Sequence, residues 1–490
     1  MSPLHQAGLT LASDLHFRSV NLATLLREHA SLRGGQVALR TKEKSWTWSE
    51  LDGLVEQAAA ALRGAGATKV AIVLPNTIEF VVALLGAMRA GILAIPVNFG
   101  FTERELRHVL TDSGADLVID AEHPLSLDPA TPAREWPEAD AASVALLLYT
   151  SGTEGAPKGA MLTHGALIAN HRQLAEVKPP IMSESDVVLL ALPLFHAYGL
   201  NAGLGAVIWY GACGILANES DPVATAGLIA LYRITVAIGV PPMYRAWSEL
   251  PNALELQRSV RLAVCGAAAL DPADAARFAQ RTGINVHIGY GLTETAPVLT
   301  STIVSGTIKP GSIGRPLPGV SLKLVNAFGE MSDDDPGYGS EDEGEIVVRG
   351  DNLFVGYWPD GHGGPDEDGW WRTGDVAYAD ADGDLFIVDR IGELIIVNGF
   401  NVYPAEVEQV LATHPAVAEA AVLGVADPAS GHAVHAYVVR ANGDLSAEEL
   451  QAHCAANLAR FKRPSTIEFV EELPHSVIGK VRKKLLRDEA

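Results

Sequence analysis

Between residues 37 and 120, short apolar runs alternate with segments of helical period, and this alternation constrains the fold more than any other feature. Residues 69–74 and 92–97 are strand-like. Residues 76–90 between them read as a helix, apolar on most sides and stopped by Gly91. Ahead of them, residues 49–63 carry Leu51, Leu54, Val55, Ala58 and Leu62 at helical spacing, with Gly64 behind. Strand alternating with helix predicts βαβ units and a largely parallel sheet. At 490 residues the chain exceeds what one core can organise, so two or more folding units are expected. Residues 121–142, rich in Pro, Ala and Glu, read as a surface connection.

Hydrophobic residues make up 48% of the chain and charged ones 19%, a globular composition. The formal net charge of −23 argues against nonspecific nucleic-acid or anionic-membrane binding. Cys213, Cys265 and Cys454 form no spacing motif, so a reduced, cytoplasmic protein with three buried packing thiols is expected. Residues 1–16 lack a basic stretch followed by an apolar core, so no signal peptide is expected. Residues 187–218 contain no Lys, Arg, Asp or Glu and are long enough to span a bilayer. Pro193, His196, Asn201 and several glycines interrupt them, so the reading is a buried strand, loop and helix without stable membrane insertion.

Five strings carry candidate chemistry. After the apolar run 145–149, Thr150-Ser151-Gly152-Thr153-Glu154-Gly155-Ala156-Pro157-Lys158-Gly159 crowds hydroxyls and glycines ahead of a lysine. Small residues let successive N–H groups approach an anion, and the lysine adds a point charge suited to phosphate. The spacing differs from the common P-loop, and such clusters also mark ordinary turns. Next, Pro193-Leu194-Phe195-His196-Ala197-Tyr198-Gly199 sets one histidine in an apolar stretch, where composition alone favours a core residue. Gly289-Tyr290-Gly291-Leu292-Thr293-Glu294-Thr295 follows the strand-like residues 285–288, at the carboxyl end where a parallel sheet places ligands. Tyr290 offers a face for a base, Thr293 a hydroxyl for phosphate, and Glu294 a carboxylate for Mg²⁺. In Trp371-Arg372-Thr373-Gly374-Asp375, the Asp375 carboxylate can accept both ribose hydroxyls. Leu473-Pro474-His475-Ser476-Val477-Ile478-Gly479-Lys480 lies in a basic stretch, 460–487, with eight Lys/Arg against three acids. That end could attract CoA phosphates or an acidic carrier protein.

In this order the strings resemble the signatures of the adenylate-forming superfamily of acyl-CoA synthetases, aryl-CoA ligases, peptide-synthetase adenylation domains and firefly luciferase. The resemblance covers nearly the whole chain. It implies that Thr150, Ser151, Gly152, Thr153 and Lys158 hold ATP phosphates, and that Gly266, Ala267 and Ala268 form the adenine-side strand end. Gly289, Tyr290 and Gly291 would flank the nucleotide, with Thr293 and Glu294 catalytic and Glu294 also the metal ligand. Asp375 and Arg390 would reach the ribose. His196 would floor the acyl pocket, Gly399 and Phe400 would border the pantetheine channel, and Lys480 would meet the α-phosphate and the attacking carboxylate. Residues 311–319 look like a structural family segment.

Three positions depart from the family pattern. Glu154 replaces a hydroxyl residue in the phosphate loop, and Gly392 stands where the hinge has Asp or Lys. Ala197 stands where α-amino-acid adenylation domains keep an aspartate, which disfavours an amino-acid substrate, because a buried ammonium needs a partner. An uncharged, largely apolar acid fits, and a β-amino acid held by an acid from another segment stays open.

The resemblance therefore implies an α/β protein with a large N-terminal domain of βαβ subdomains, residues 1–390, and a small mobile α+β C-terminal domain, residues 391–490. In that smaller part, residues 405–413 and 446–460 read as helices and 417–425, 435–439 and 466–470 as strands, and Ser446 with Glu449 makes a capping box. Residues 332–345, acidic and Gly-rich, read as a solvated hairpin loop. The implied activity is ATP-dependent acyl-CoA synthesis with ATP, Mg²⁺ and CoA, by a monomer or homodimer. The alternatives are loading of a separate acyl carrier protein, or nucleotide binding without turnover.

Overall fold

The computed structural model describes residues 21–487 except 131–133, 137–138, 151–156, 219–220, 257, 326–342, 391–392, 394, 398–399, 428–430, 442, 444 and 476–479. The chain packs as two compact units, Met1–Ser321 with Arg349–Trp371, and Leu322–Val348 with Arg372–Ala490. The expected join at 390/391 falls within the second unit, between its two sheets.

The first unit contains a nine-stranded sheet. Its order is Arg315–Pro316, Val298–Ser301, Val286–Gly291, Leu262–Cys265, Val236–Gly239, Val187–Leu190, Cys213–Leu216, Val37–Arg40 and Ser45–Thr47. Neighbours from Val286–Gly291 through Val37–Arg40 pair parallel, and the two margins pair antiparallel. A five-stranded sheet runs Leu117–Ile119, Lys69–Ile72, Leu93–Pro96, Val144–Thr150 and Lys158–Thr163. It is parallel except for its closing hairpin. The parallel expectation holds, and the antiparallel margins are what hydrophobic period alone does not encode.

Side-chain caps and glycines set the helix ends. Thr77 Oγ1 accepts from Phe80 N and opens the helix Ile78–Ala90, which Gly91 closes at φ 65°. The helix Trp48–Gly64 begins with a reciprocal Thr47/Glu50 box. It runs through Gly64 instead of stopping before it, because the left-handed turn falls on Gly66 at φ 72°. The 121–142 connection is pinned where the Trp136 indole N–H donates to buried Glu56 at 2.9 Å. Residues 187–218 form a strand, a π-helix at Tyr198–Gly205 that continues as Ala206–Tyr210, and a second strand. Among the described residues no helix is long and apolar enough to cross a membrane. Cys265 and Cys454 are buried, but Cys213 is only partly so, because it opens its strand.

A four-stranded sheet, in the second unit but for its end residues Ser321, Arg349 and Trp371, runs in the order Ser321–Val325, Gly344–Arg349, Trp371–Ala379 and Leu385–Arg390. Of the residues read as a loop over 332–345, 332–342 lie outside the described ones, and Glu345 is a buried strand residue. The other sheet runs Phe400–Val402, Ile395–Val397, Gly431–Arg440 and Val417–Asp427, with Thr466–Val470 also on Gly431–Arg440. Helices Pro404–Ala412 and Ala447–Asn457 pack on it around Val407, Leu411, Val422, Val438, Leu450 and Cys454. The second helix ends short of residue 460, because Leu458 turns extended (φ −124°, ψ 145°) before a 3₁₀ turn at Arg460–Lys462.

Candidate active site

Three of the singled-out segments meet at the carboxyl ends of parallel strands in the first unit. The Tyr198 hydroxyl donates to the carbonyls of Val264 (3.3 Å) and Gly239 (3.4 Å). A Cβ at Gly266 would lie 3.0 Å from the Tyr198 ring and 3.1 Å from the Gly289 carbonyl, so the close approach of these chains needs glycine there. Ala267 next to it holds φ 68°, a strained conformation for an alanine and one that clusters at functional sites. His196 precedes the π-helix, itself a feature common at such sites. Its Nδ1 accepts from Tyr198 N at 3.3 Å. Gly199 admits no side chain, since a Cβ would stand 2.3 Å from the Pro193 carbonyl. Around it Leu189, Leu190, Leu192, Gly203 and Ile238 leave no room for a water-sized sphere.

The strand Val286–Gly291 does not end before the glycines, as expected, but runs through Gly289, Tyr290 and Gly291. Pairing with Val298–Ser301 extends it: a Cβ at Gly291 would fall 1.7 Å from the Pro297 carbonyl. The chain then makes a 3₁₀ turn, Thr293–Thr295. Thr295 fixes that turn by donating to the carbonyls of Leu292 (3.0 Å) and Pro297 (2.6 Å). Glu294 is buried, and its Oε1 accepts from the Tyr357 hydroxyl at 2.6 Å. Its main-chain carbonyl accepts from Phe354 N at 2.8 Å.

Tyr357 also reaches the phosphate-loop hairpin. Its segment pairs with Lys158–Thr163, through Trp358 N to the Gly159 carbonyl (2.8 Å) and Met161 N to the Gly356 carbonyl (3.1 Å). Lys158 is not a loop residue but opens that strand, opposite Thr150. Its ammonium sits 5.5 Å from the Tyr357 ring centroid, within cation–π range. One aromatic side chain thus links the hairpin's lysine to the candidate metal carboxylate. Glu294 is a nearly buried carboxylate with one oxygen hydrogen-bonded to Tyr357, a hard oxygen ligand of the kind Mg²⁺ takes together with phosphate oxygens.

In the second unit Asp375 is 3% exposed. Gly374 turns at φ 77° ahead of it, and its N–H donates to Glu345 Oε1 at 3.1 Å. Asp375 N donates to Thr373 Oγ1 at 3.1 Å, and Thr373 in turn donates to the Ile346 carbonyl at 2.9 Å. The strands carrying Asp375 and Arg390 pair antiparallel with those two residues directly opposite. Lys480 is exposed, just inside a bridge between His475 and Val481. The basic stretch is partly neutralised within the unit, since Lys462 pairs with Glu406 and Lys483 with Glu393 and Glu408.

Residues 26–358 match the AMP-binding enzyme family. The chain belongs to that family. Residues 406–480 match the AMP-binding enzyme C-terminal domain. A long-chain-fatty-acid–CoA ligase of Salmonella typhimurium is 34% identical, over 95% of this chain and 94% of its own length. A feruloyl-CoA synthase of an Amycolatopsis species is 37% identical, over 92% of this chain and 95% of its own. ATP-bound MatB from Rhodopseudomonas palustris superposes with a TM-score of 0.87 at 30% identity, covering 96% of this chain and 99% of that one.

Within this AMP-binding enzyme, the expected residues Thr150, Lys158, His196, Gly266, Ala267, Ala268, Gly289, Tyr290, Gly291, Thr293 and Glu294 lie in the first unit. Asp375, Arg390, Phe400 and Lys480 lie in the second. Ser151, Gly152, Thr153 and Gly399 fall outside the described residues. Sequence reading missed Tyr357 and Thr295. Tyr357 stands 63 positions from Glu294, so no local spacing points to the pair, although Gly356-Tyr357 marks a turn with an aromatic. Tyr357→Phe should raise the MgATP KM about tenfold, the worth of one hydrogen bond to a carboxylate, with a smaller effect on the KM for the acid. Steady-state kinetics with each substrate varied would check this, and an unchanged MgATP KM would refute it.

Proposed function

We propose that the chain's own residues divide a two-step ligation between them, with the Lys158–Tyr357–Glu294 connection as the observation that carries the reading. The protein is an AMP-forming acid–CoA ligase, an ATP-dependent acyl-CoA synthetase. In the first step an oxygen of the acid's carboxylate attacks the α-phosphorus of ATP, the bond to the β-phosphate oxygen breaks, and pyrophosphate leaves. Such a transfer needs positioning and charge stabilisation more than covalent help. Lys158 and the Thr150 hairpin hold the β- and γ-phosphates, and Asp375 with Arg390 hold the ribose. Glu294 would hold Mg²⁺, which when bound neutralises charge on the phosphate oxygens. Lys480 stabilises negative charge gathered at the α-phosphate. In the second step the CoA thiol attacks the acyl carbon and AMP leaves. Gly399 and Phe400 border the path of the pantetheine arm.

The acid is largely apolar on this reading. Buried Ala197 offers no partner to an ammonium. Three free cysteines are in keeping with a reduced, cytoplasmic setting. Purified protein offered ATP, Mg²⁺ and a panel of acids should release pyrophosphate, and then form a thioester when CoA is added. Thioester formation with an acyl carrier protein but not with CoA would replace the acceptor, and no pyrophosphate with any acid would end the reading. Asp375→Asn should raise the ATP KM about tenfold by weakening a charge-assisted hydrogen bond. An unchanged ATP KM would remove the ribose role.

A further inference from the structure

The Lys480 segment is held at its root by groups that none of the reaction roles above uses. Lys483, three residues further on, places its ammonium 2.7 Å from Glu393 Oε2 and 2.8 Å from Glu408 Oε1. The lysine side chain is 17% exposed and each glutamate 23%. Glu408 is itself fixed, because its Oε1 accepts from Val422 N at 2.7 Å. It lies on the helix Pro404–Ala412, and Glu393 follows the join between the unit's two sheets. Burial works against the Lys483 charge, but Glu408 and Glu393 outweigh it and hold the ammonium above the ordinary lysine range.

The rest of the root is equally fixed. His475 and Val481 bridge across the base of the loop, and Arg482 N donates to the Pro474 carbonyl at 2.6 Å. His475 Nε2 lies 2.7 Å from Glu419 Oε1. Leu473 and Leu486 are buried with Ala421, Leu423 and Tyr437. The helix Lys483–Arg487 has only five residues, too few to be stable alone, so its direction depends on these attachments.

We propose that Lys483 is a positioning residue for the adenylation step, tying the Lys480 loop to Glu393 at the join and to Glu408 on the neighbouring helix. Glu393 and the root of the Lys480 loop are then held as one body, because Glu393 is ion-paired to Lys483. The inference rests on the role given to Lys480. Without the Lys483 ammonium, two partly buried carboxylates lose their shared counter-ion and repel. The root then shifts, and Lys480 arrives misplaced.

The test follows the two half-reactions of the full chain separately, as pyrophosphate release from ATP and acid, and as thioester formation from preformed acyl adenylate and CoA. K483M is expected to slow the first about 10- to 100-fold, the scale of an ångström's misplacement of a reacting group, and to leave the second nearly unchanged. K483R, which keeps the charge, is expected to recover most of the loss. E393Q, which leaves the Glu408 pair intact, serves if K483M does not fold, and should shift the ratio of the two rates in the same direction. Equal loss in both half-reactions, no loss in the first, or no rescue by K483R would overturn the proposal. K480A separates the two layers. If it impairs pyrophosphate release while K483M and E393Q do not, the anchor alone falls. If K480A leaves release intact, the Lys480 role falls, and the anchor's role with it.

Discussion

Lys480→Ala is expected to lower pyrophosphate release at least about a hundredfold, the scale of removing one preorganised charge from a transition state. The attacking carboxylate and the triphosphate are both anionic, so the first step gathers negative charge at a single phosphorus. A cation brought to that point acts only while the new bond forms. Alanine leaves the His475–Val481 bridge and the Lys483 ion pairs in place, so the fold should survive. The second step meets a neutral acyl carbon in a mixed anhydride and makes no comparable demand. Thioester formation from supplied acyl adenylate should therefore stay close to wild type. Similar loss in both half-reactions would sink the assignment.

Glu294→Gln is expected to cost about two decades of the same step and to raise the Mg²⁺ concentration needed for half-maximal rate. The change is nearly isosteric. The amide keeps an oxygen for the Tyr357 hydroxyl, and the main-chain bond from Phe354 N is untouched. What disappears is one negative charge at a nearly buried position, where charge counts for more than in water. A thermal unfolding curve near that of the wild type, with an Mg²⁺ titration displaced to higher concentration, is the expected pair of results. A rate loss with an unmoved Mg²⁺ titration would assign Glu294 to turn architecture instead.

The parallel α/β body and the family were legible because the signals for both are local. Thr77, Gly91 and the Thr47/Glu50 box act within a few residues of where they stand. Gly199, Gly266 and Gly291 are recognisable as short strings, although the reason for each glycine is a carbonyl or ring from a distant segment. Two of the errors were of one kind. The Gly-Tyr-Gly run was placed after its strand, and Lys158 in its loop, because antiparallel partners elsewhere in the chain extend both strands. Hydrophobic period does not reveal such partners.

Sequence alone determined which chemistry this protein can attempt. The residues proposed for phosphate (Thr150 to Lys158), for a hard cation (Glu294), for ribose (Asp375) and for the α-phosphate (Lys480) are singled out by residue type and order. Tertiary structure alone decided how that chemistry is braced. Tyr357 joins Lys158 to Glu294, Asp375 stands opposite Arg390, and Lys483 locks the root of the Lys480 loop between two glutamates. Each of these joins side chains or strands whose distance along the chain says nothing of their distance in space, since only the packing of sheets and helices brings them within reach.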